Sequence, residues 1–230
     1  ARHTANLGRL VSSLDLTDVT LFVQDWGGPT GLAQYATMPG RFSRLVIMNT
    51  WLHHDDYEYS PGILRWIQQN LPGGVFRDNI PSRFNWGTLM AMGTDRVTPA
   101  DSLQRVLGGG EPVLSAEAAA VRGAYDAPFD GLGEDAVSGP RRFPMCIPVH
   151  DRAAGNAGAQ SRHFAFVNST ELPVHFVWGV RDDVFTREWG EKWHSLIPGS
   201  TWHPLDARHF LQDTHGAEIA AHVLAHIGRG

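Results

Sequence analysis

The sequence has one cysteine, Cys146, and one lysine, Lys192, among its 230 residues. A single cysteine cannot form an internal disulfide, and no Cys/His pattern typical of a structural zinc site is present. No apolar run approaches the roughly 18 residues of a membrane-spanning helix, and the first residues lack the charged-then-apolar pattern of a signal peptide. Acidic residues outnumber basic ones, 24 to 19, which disfavours nucleic acid or an anionic membrane as a partner. We therefore expect a soluble, cytoplasmic protein.

The composition that remains is typical of a globular α/β domain. Hydrophobic residues make up 42% of the chain and charged residues 19%, a balance that argues against disorder. The length suits one α/β domain, with or without a small insertion. The 25 glycines and 14 prolines predict frequent turns and exclude a coiled coil.

Strand and helix patterns alternate along the chain. Short apolar, β-branched runs predict strands, and apolar residues at helical spacing predict helices. The predicted strands are residues 19–23, 44–50, 173–178 and, more weakly, 200–205, and the predicted flanking helices are 3–14, 27–38 and 214–228. Continuous apolar strands that alternate with helices predict a parallel sheet with helices on both faces.

A long segment of different character separates the second and third predicted strands. It contains helical stretches at 61–71, 99–107 and 115–125, with Pro/Gly-rich breaks between them and no convincing strand. We expect a helical cap over residues 53–168 that covers the carboxyl end of the sheet. Residues 1–52 and 169–230 would then form the core.

The segment VQDWGG (residues 23–28) lies between a predicted strand and a predicted helix. A polar residue between small neighbours at such a turn is typical of a nucleophile elbow, which exposes the central side chain at the carboxyl edge of the sheet. That side chain is Asp25, and no G-x-S-x-G occurs in the sequence. Asp25 as a simple helix cap is the structural alternative.

Two further polar residues follow the later predicted strands. Asp182 lies after the third strand and His209 after the fourth. Nucleophile, acid and histidine thus follow one another in the order of the α/β-hydrolase fold. The order predicts a catalytic triad of Asp25, Asp182 and His209, with Asp183 as the alternative acid.

Other polar clusters indicate no metal site. His53, His54, Asp55 and Asp56 are adjacent on a predicted loop, and adjacent loop residues rarely converge on one ion. His222 and His226 are four residues apart on the last predicted helix, opposite its apolar stripe, which favours a solvated helix face over a ligand pair.

The sequence resembles the haloalkane dehalogenases of the α/β-hydrolase superfamily. The resemblance rests on the elbow QDWGG (residues 24–28), on PGRFSRLVIMN (residues 39–49) and on the stretch from RFP (residues 142–144) to the C-terminus. It implies the later half of a mostly parallel sheet flanked by helices, with a helical cap. It also implies hydrolysis of haloalkanes to alcohol and halide without a metal or cofactor.

The resemblance assigns roles to individual residues. Asp25 would be the nucleophile, His209 the base and Asp182 the residue that orients His209. Trp26 and Trp86 would bind the departing halide, because an indole N–H is a donor without a lone pair that would repel an anion. Candidate residues for an apolar substrate pocket, for which core packing is the alternative, are Phe84, Phe143, Pro144 and Val184.

Two other functions stay open. An epoxide hydrolase shares the Asp nucleophile but needs two cap tyrosines, for which Tyr57, Tyr59 and Tyr125 are the candidates. A non-catalytic or incomplete α/β-hydrolase is the alternative from a different class.

The sequence departs from the family's pattern in two respects. Arg208 precedes the catalytic histidine where the family usually has a small residue. The family's first strands, with a His-Gly loop that supplies an oxyanion donor, have no counterpart, and one such donor contributes about 10²–10³ in rate. We therefore expect a fragment of a longer protein, or a decayed relative, whose first strand is an exposed apolar edge prone to association.

Overall fold

A parallel sheet forms the centre of the molecule. The computed structural model describes residues 2–79, 86–91, 93–96, 115–149, 153 and 155–227. Within these residues, four strands pair in the order β1-β2-β3-β4, and every pair is parallel. The strands are β1 (Val19–Asp25), β2 (Phe42–Thr50), β3 (Val174–Gly179) and β4 (Thr201–Leu205). All four lie where the sequence predicts them.

Helices connect and cover these strands. They are α1 (Arg2–Ser13), a π-helix (Gly28–Leu32) that continues into α2 (Ala33–Thr37), α3 (Pro61–Asn70), α4 (Val75–Asn79), α5 (Trp86–Ala91), α6 (Ala116–Asp126), α7 (Ser138–Arg142), α8 (Ala157–Asn168), α9 (Arg187–Ser195) and α10 (Leu211–Ile227). Short 3₁₀ helices span Pro39–Arg41, Ala127–Phe129, Glu134–Val137 and Pro144–Cys146. The helix predicted at 99–107 lies outside the described residues. None of the helices within the described ranges is long and apolar enough to cross a membrane.

The sheet carries an apolar core on each face, because its central strands contain apolar runs that project side chains to both sides. Ile47, Phe176 and Trp178 project to one side, where α2, α8 and α9 pack. Val46 and Val177 project to the other side, against α10. Each fully buried aliphatic or aromatic side chain of this kind contributes about 1.5–3 kcal/mol to folding. The predicted arrangement of helices on both faces is confirmed.

The helix after β1 differs from the expected regular helix over 27–38. It begins as a π-helix and becomes α-helical only at Ala33. The turn packs so closely on the sheet that a Cβ on Gly28 would overlap the Thr50 side chain, and a Cβ on Gly31 would lie 2.8 Å from Val23. The wider π-helical turn thus coincides with Gly28 and Gly31, which allow the close approach to the sheet. Hydrophobic periodicity in the sequence does not predict this turn.

Two features concern the limits of the core. Helix α8 falls within the predicted cap range 53–168, yet its Phe164 and Val167 are buried in the core beside β3, so these residues pack with the core. The position of the cap boundary stays a prediction.

Strand β1 lies at one edge of the described sheet, and its Phe22 is 47% exposed.

Candidate active site

Asp25 is the last residue of β1 and begins the turn into the π-helix. Its backbone is left-handed, with φ of 50°, a conformation that a non-glycine residue adopts at a cost. The Thr50 hydroxyl donates to the Asp25 carbonyl oxygen and accepts from the backbone N–H of Gly28 at 3.1 Å. The end of β2 therefore holds the elbow in place from both sides.

His209 and Asp182 meet Asp25 at the same edge of the sheet. His209 Nδ1 lies 2.8 Å from Asp182 Oδ2, and His209 Nε2 lies 3.9 Å from Asp25 Oδ1. Asp182 is buried, and its second oxygen accepts the backbone N–H of Val184 at 2.8 Å. Asp183 is instead 66% exposed and faces Arg65 at 4.0 Å. The geometry favours Asp182 over Asp183 as the partner of the histidine.

Asn49, which the sequence analysis did not single out, holds the acid in position. Its side-chain amide donates to Asp182 Oδ2 and to the Gly179 carbonyl oxygen, both at 3.0 Å, and its Oδ1 accepts the Gly179 N–H at 2.7 Å. The side chain is fully buried. The sequence feature that could have indicated this role is the position of Asn49, a polar residue directly after the apolar run of β2.

Gln24 is a second residue that the sequence analysis missed. Its side-chain Nε2 lies 3.1 Å from His209 Nε2 and donates to the His209 carbonyl oxygen at 3.1 Å. When Gln24 donates to Nε2, His209 is the neutral tautomer with its proton on Nδ1, directed to Asp182. Gln24 thus contacts the nitrogen that a catalytic base would use.

The surroundings shift the pKa of both reactive groups. Asp25 keeps 38% of its side-chain surface accessible because it faces a cavity, yet desolvation raises the pKa of its carboxyl, with His209 opposing the shift. Burial lowers the pKa of His209, but the charge and hydrogen bond of Asp182, together with the Asp25 charge, outweigh this and raise it to about 9.

A cavity of about 440 Å³ lies over the three residues. Its apolar wall includes three residues that the sequence analysis named as pocket candidates: Phe143, Pro144 and Val184. The further apolar or aromatic residues of the wall are Trp26, Trp51, Trp66, Phe76, Leu89, Met90, Pro140, Ile147, Phe185 and Phe210. Such a largely apolar wall suits a small apolar substrate beside the Asp25 carboxylate.

Charged residues also line the cavity, among them the unexpected Arg208. Arg181 pairs with Asp95 at 2.6 Å and with Asp206 at 2.7 Å. The backbone N–H of Arg208 donates to the same Asp95 at 3.2 Å. Asp95 therefore ties the Arg181 and Arg208 loops together beside the histidine.

Of the two predicted halide ligands, the structure describes one in full. Trp26 lines the cavity directly beside Asp25. Trp86 begins α5, but its side chain lies outside the described residues, as does Phe84. Trp51, which the sequence analysis missed, packs edge-on against Trp26 with ring centroids 4.9 Å apart. Its indole N–H is buried and has no hydrogen-bond partner among the described residues.

The tyrosines that an epoxide hydrolase would need lie elsewhere. Tyr57 is buried against Trp189 and Tyr59, and Tyr125 packs on Phe210. Within the described ranges, no tyrosine lines the cavity. The epoxide alternative therefore gains no support from the geometry.

The histidines outside the triad are packed in different ways. The His54 ring stacks on Phe164 at 3.8 Å, and His53 Nδ1 lies 2.8 Å from the Tyr59 hydroxyl. His222 and His226 do not occupy a simply solvated face, in contrast to our expectation, because both rings contact His175 of β3. The helix face alone could not reveal this strand neighbour.

Comparisons with known proteins find several haloalkane dehalogenases that are similar to this chain. No protein-family model matches the chain. A haloalkane dehalogenase of Psychrobacter cryohalolentis is 28% identical over 95% of the chain, and one of Mycolicibacterium paratuberculosis is 29% identical over 97%. The structure of a haloalkane dehalogenase from Paraglaciecola agarilytica superposes with a TM-score of 0.72 at 25% identity, over 97% of this chain and 65% of that one.

These similarities confirm the predicted fold class and the family resemblance. The chain has the α/β-hydrolase fold with a mostly parallel sheet flanked by helices, and it is similar to haloalkane dehalogenases in sequence and structure. The chain spans 63% and 65% of the lengths of the two curated relatives.

Proposed function

We propose that the protein hydrolyses haloalkanes to an alcohol and a halide ion through an ester on Asp25. The observation that carries this proposal is the position of His209, between Asp182 at 2.8 Å and Asp25 at 3.9 Å. The carboxylate faces an apolar cavity with Trp26 beside it, an arrangement that suits displacement at a saturated carbon.

The first half-reaction uses Asp25 as the nucleophile. One carboxylate oxygen forms a bond to the carbon that bears the halogen, and the carbon–halogen bond breaks with its electron pair going to the halide. The Trp26 indole N–H supplies a donor to the developing anion in a largely apolar cavity, where such an interaction is stronger than in water. We extend this role to Trp86 because of its place in the family's pattern.

The second half-reaction uses His209 as the base. Its Nε2 takes a proton from water, and the hydroxide oxygen adds to the ester carbonyl carbon. Asp182 stabilises the imidazolium, and the backbone N–H of Trp26, which favours the charged form of the Asp25 carboxyl and lowers its pKa, stabilises the oxyanion. The acyl–oxygen bond then breaks, the alkoxide takes the proton from His209, and the regenerated carboxyl group loses its proton to solvent.

A single turnover in ¹⁸O-labelled water tests this route. Excess protein and 1-bromobutane should yield alcohol that carries unlabelled oxygen from Asp25, while the label enters the Asp25 carboxylate. Peptide mass spectrometry locates the label, and the alcohol is analysed in parallel. Labelled alcohol with an unlabelled Asp25 would mean direct attack by water, and turnover of an epoxide alone would favour the alternative enzyme.

Halide binding should depend on Trp26. Bromide or iodide is expected to quench tryptophan fluorescence, and Trp26→Phe should weaken halide binding by about 10–100-fold, because one hydrogen bond to a charged group is lost. Trp86→Phe tests the second ligand in the same titration. The control is Trp189→Phe, since the Trp189 indole already donates to the Thr50 carbonyl oxygen at 2.9 Å. Equal quenching in all variants would assign Trp26 to packing alone.

Both half-reactions should become faster as the pH rises, but each around a different pH. Alkylation needs ionised Asp25, so its rate should fall as the pH drops towards the raised pKa of this carboxyl. Hydrolysis needs neutral His209, whose pKa is about 9 in the free protein. Esterification removes the Asp25 charge that contributes to this value, so hydrolysis should reach half its maximum below pH 9. Rapid-quench kinetics give the pH midpoint of ester hydrolysis, and an NMR titration gives the pKa of His209 in the free protein. Equal values for the two would contradict the expectation.

A further inference from the structure

Three histidines meet on the face of the sheet that α10 covers. His175 lies on β3, and His222 and His226 lie one turn apart on α10. One ring nitrogen from each of the three lies within 4.8 Å of the other two. We call His175, His222 and His226 the histidine cluster. It belongs to a different part of the molecule from the catalytic cavity, whose lining includes none of them.

We propose that the histidine cluster binds a zinc ion, which joins the last helix to the sheet. Neutral imidazole nitrogens are common zinc ligands, and three of them with a water molecule complete a tetrahedral site. The spacing of four residues between His222 and His226 places both rings on one side of the helix. The strand supplies the third ligand from the opposite side.

The hydrogen bonds of His175 leave one nitrogen available for a metal. The residue is 4% exposed, and its Nδ1 lies 2.8 Å from the Thr201 hydroxyl. Its Nε2 is buried and has no hydrogen-bond partner in the described part of the chain. A buried polar atom without a partner is destabilising, and coordination of a metal ion would satisfy it.

The helix ligands are also prepared for coordination. His226 Nδ1 lies 2.7 Å from the carbonyl oxygen of His222, so its proton is directed to that oxygen and the Nε2 lone pair is available. A metal-binding histidine is usually oriented by such a bond from its other nitrogen. His222 Nε2 is buried and, within the described ranges, unpartnered.

The distances require a small closure around the ion. With Zn–N bonds of about 2.0–2.1 Å, tetrahedral ligand atoms lie about 3.4 Å apart, closer than the 4.8 Å limit found here. His175 is fixed by burial and by Thr201, whereas His222 and His226 are only half-buried. Rotation of these two side chains towards His175 would therefore complete the site.

The charges near the cluster have both signs. Arg44 of β2 acts on His175 electrostatically and opposes cation binding. Glu218 precedes His222 by one helical turn and lies 3.3 Å from His203 Nε2, and the His203 ring stacks on His222 at 4.1 Å. The Glu218 carboxylate offsets the arginine, and His203 provides a neighbouring imidazole on β4.

Zinc titration of the tag-free, chelator-treated protein tests the proposal. Calorimetry should detect one equivalent of Zn²⁺, and His222→Asn and His226→Asn should each weaken binding by about 100-fold. Zinc at 100 times its dissociation constant should raise the Tm by about 5–10 °C. His163→Asn is the matched control, because its Nδ1 is also buried without a partner among the described residues but lies outside the cluster.

Two further measurements test zinc binding without relying on dehalogenase activity, and they distinguish a lost metal site from a misfolded variant. Co²⁺ in place of zinc should give the intense visible absorption of a tetrahedral nitrogen site, lost in both helix variants. The circular dichroism spectrum of each metal-free variant should match that of the parent protein. Absence of Zn²⁺ binding, or binding that survives both helix substitutions, would overturn the proposal and leave the cluster as three packed imidazole rings.

Discussion

A His209→Phe variant is expected to form the ester on Asp25 and then to stop. Alkylation needs only the carboxylate and a place for the halide, whereas ester hydrolysis needs the base that takes a proton from water. Loss of a general base lowers the rate by about 10²–10⁴-fold. Intact-protein mass spectrometry after incubation with 1-bromobutane should therefore find one added butyl group. Peptide mapping should place it on Asp25.

Phenylalanine is chosen because it preserves the packing of the site. The His209 ring contacts Phe185 with centroids 5.5 Å apart and Phe210 at 4.8 Å, and a phenyl ring can occupy the same space. Asp25→Asn in the His209→Phe background is the control, and it should remain unmodified. A butyl group on any residue other than Asp25 would refute the assignment of the nucleophile.

Asp182→Asn is expected to lower turnover by about 10³–10⁴-fold, comparable to the same change in a serine-protease triad. The Asp182 charge stabilises the imidazolium and thereby raises the pKa of His209. The substitution removes this charge. Because the proposed mechanism uses His209 in the second half-reaction, the loss should fall on ester hydrolysis. The burst of bromide from the first turnover should persist.

Asp183→Asn provides a control at the adjacent position. Asp183 is exposed, and its nearest cationic partner is Arg65 at 4.0 Å, so we expect a change of less than about twofold, in line with the small contribution of exposed ion pairs. Steady-state kinetics and bromide-burst measurements on both variants decide between the two acids. The assignment fails when the larger loss belongs to Asp183→Asn.

The predictable parts of the molecule are those that local sequence determines. Strands β2 and β3 contain short apolar runs, and the elbow contains Gly27 and Gly28 directly after Asp25-Trp26. Both features are therefore apparent from short segments of sequence. The order of Asp25, Asp182 and His209 then follows, because the ends of parallel strands meet at one edge. The proximity of these residues required no knowledge of side-chain packing.

The parts that the sequence did not reveal depend on contacts between distant segments. Asn49 acts on an acid that lies 133 positions further along the chain. His222 and His226 meet His175 only because α10 packs across β3. The π-helix reflects the close approach of Gly28 to Thr50. Hydrophobic periodicity contains no information on such pairings.

The left-handed backbone of Asp25 lowers the stability of the fold, whereas its side chain supplies the carboxylate of the proposed mechanism. Glycine adopts this conformation without steric cost, whereas a side chain in it costs on the order of 1–3 kcal/mol. Selection for thermal stability alone would therefore favour glycine at position 25, and only selection for the carboxylate retains aspartate there. In libraries screened for folding, replacement of Asp25, the proposed nucleophile, by glycine should rank among the stabilising changes. Retention of Asp25 in natural variants of the protein would accordingly report continued use of its chemistry.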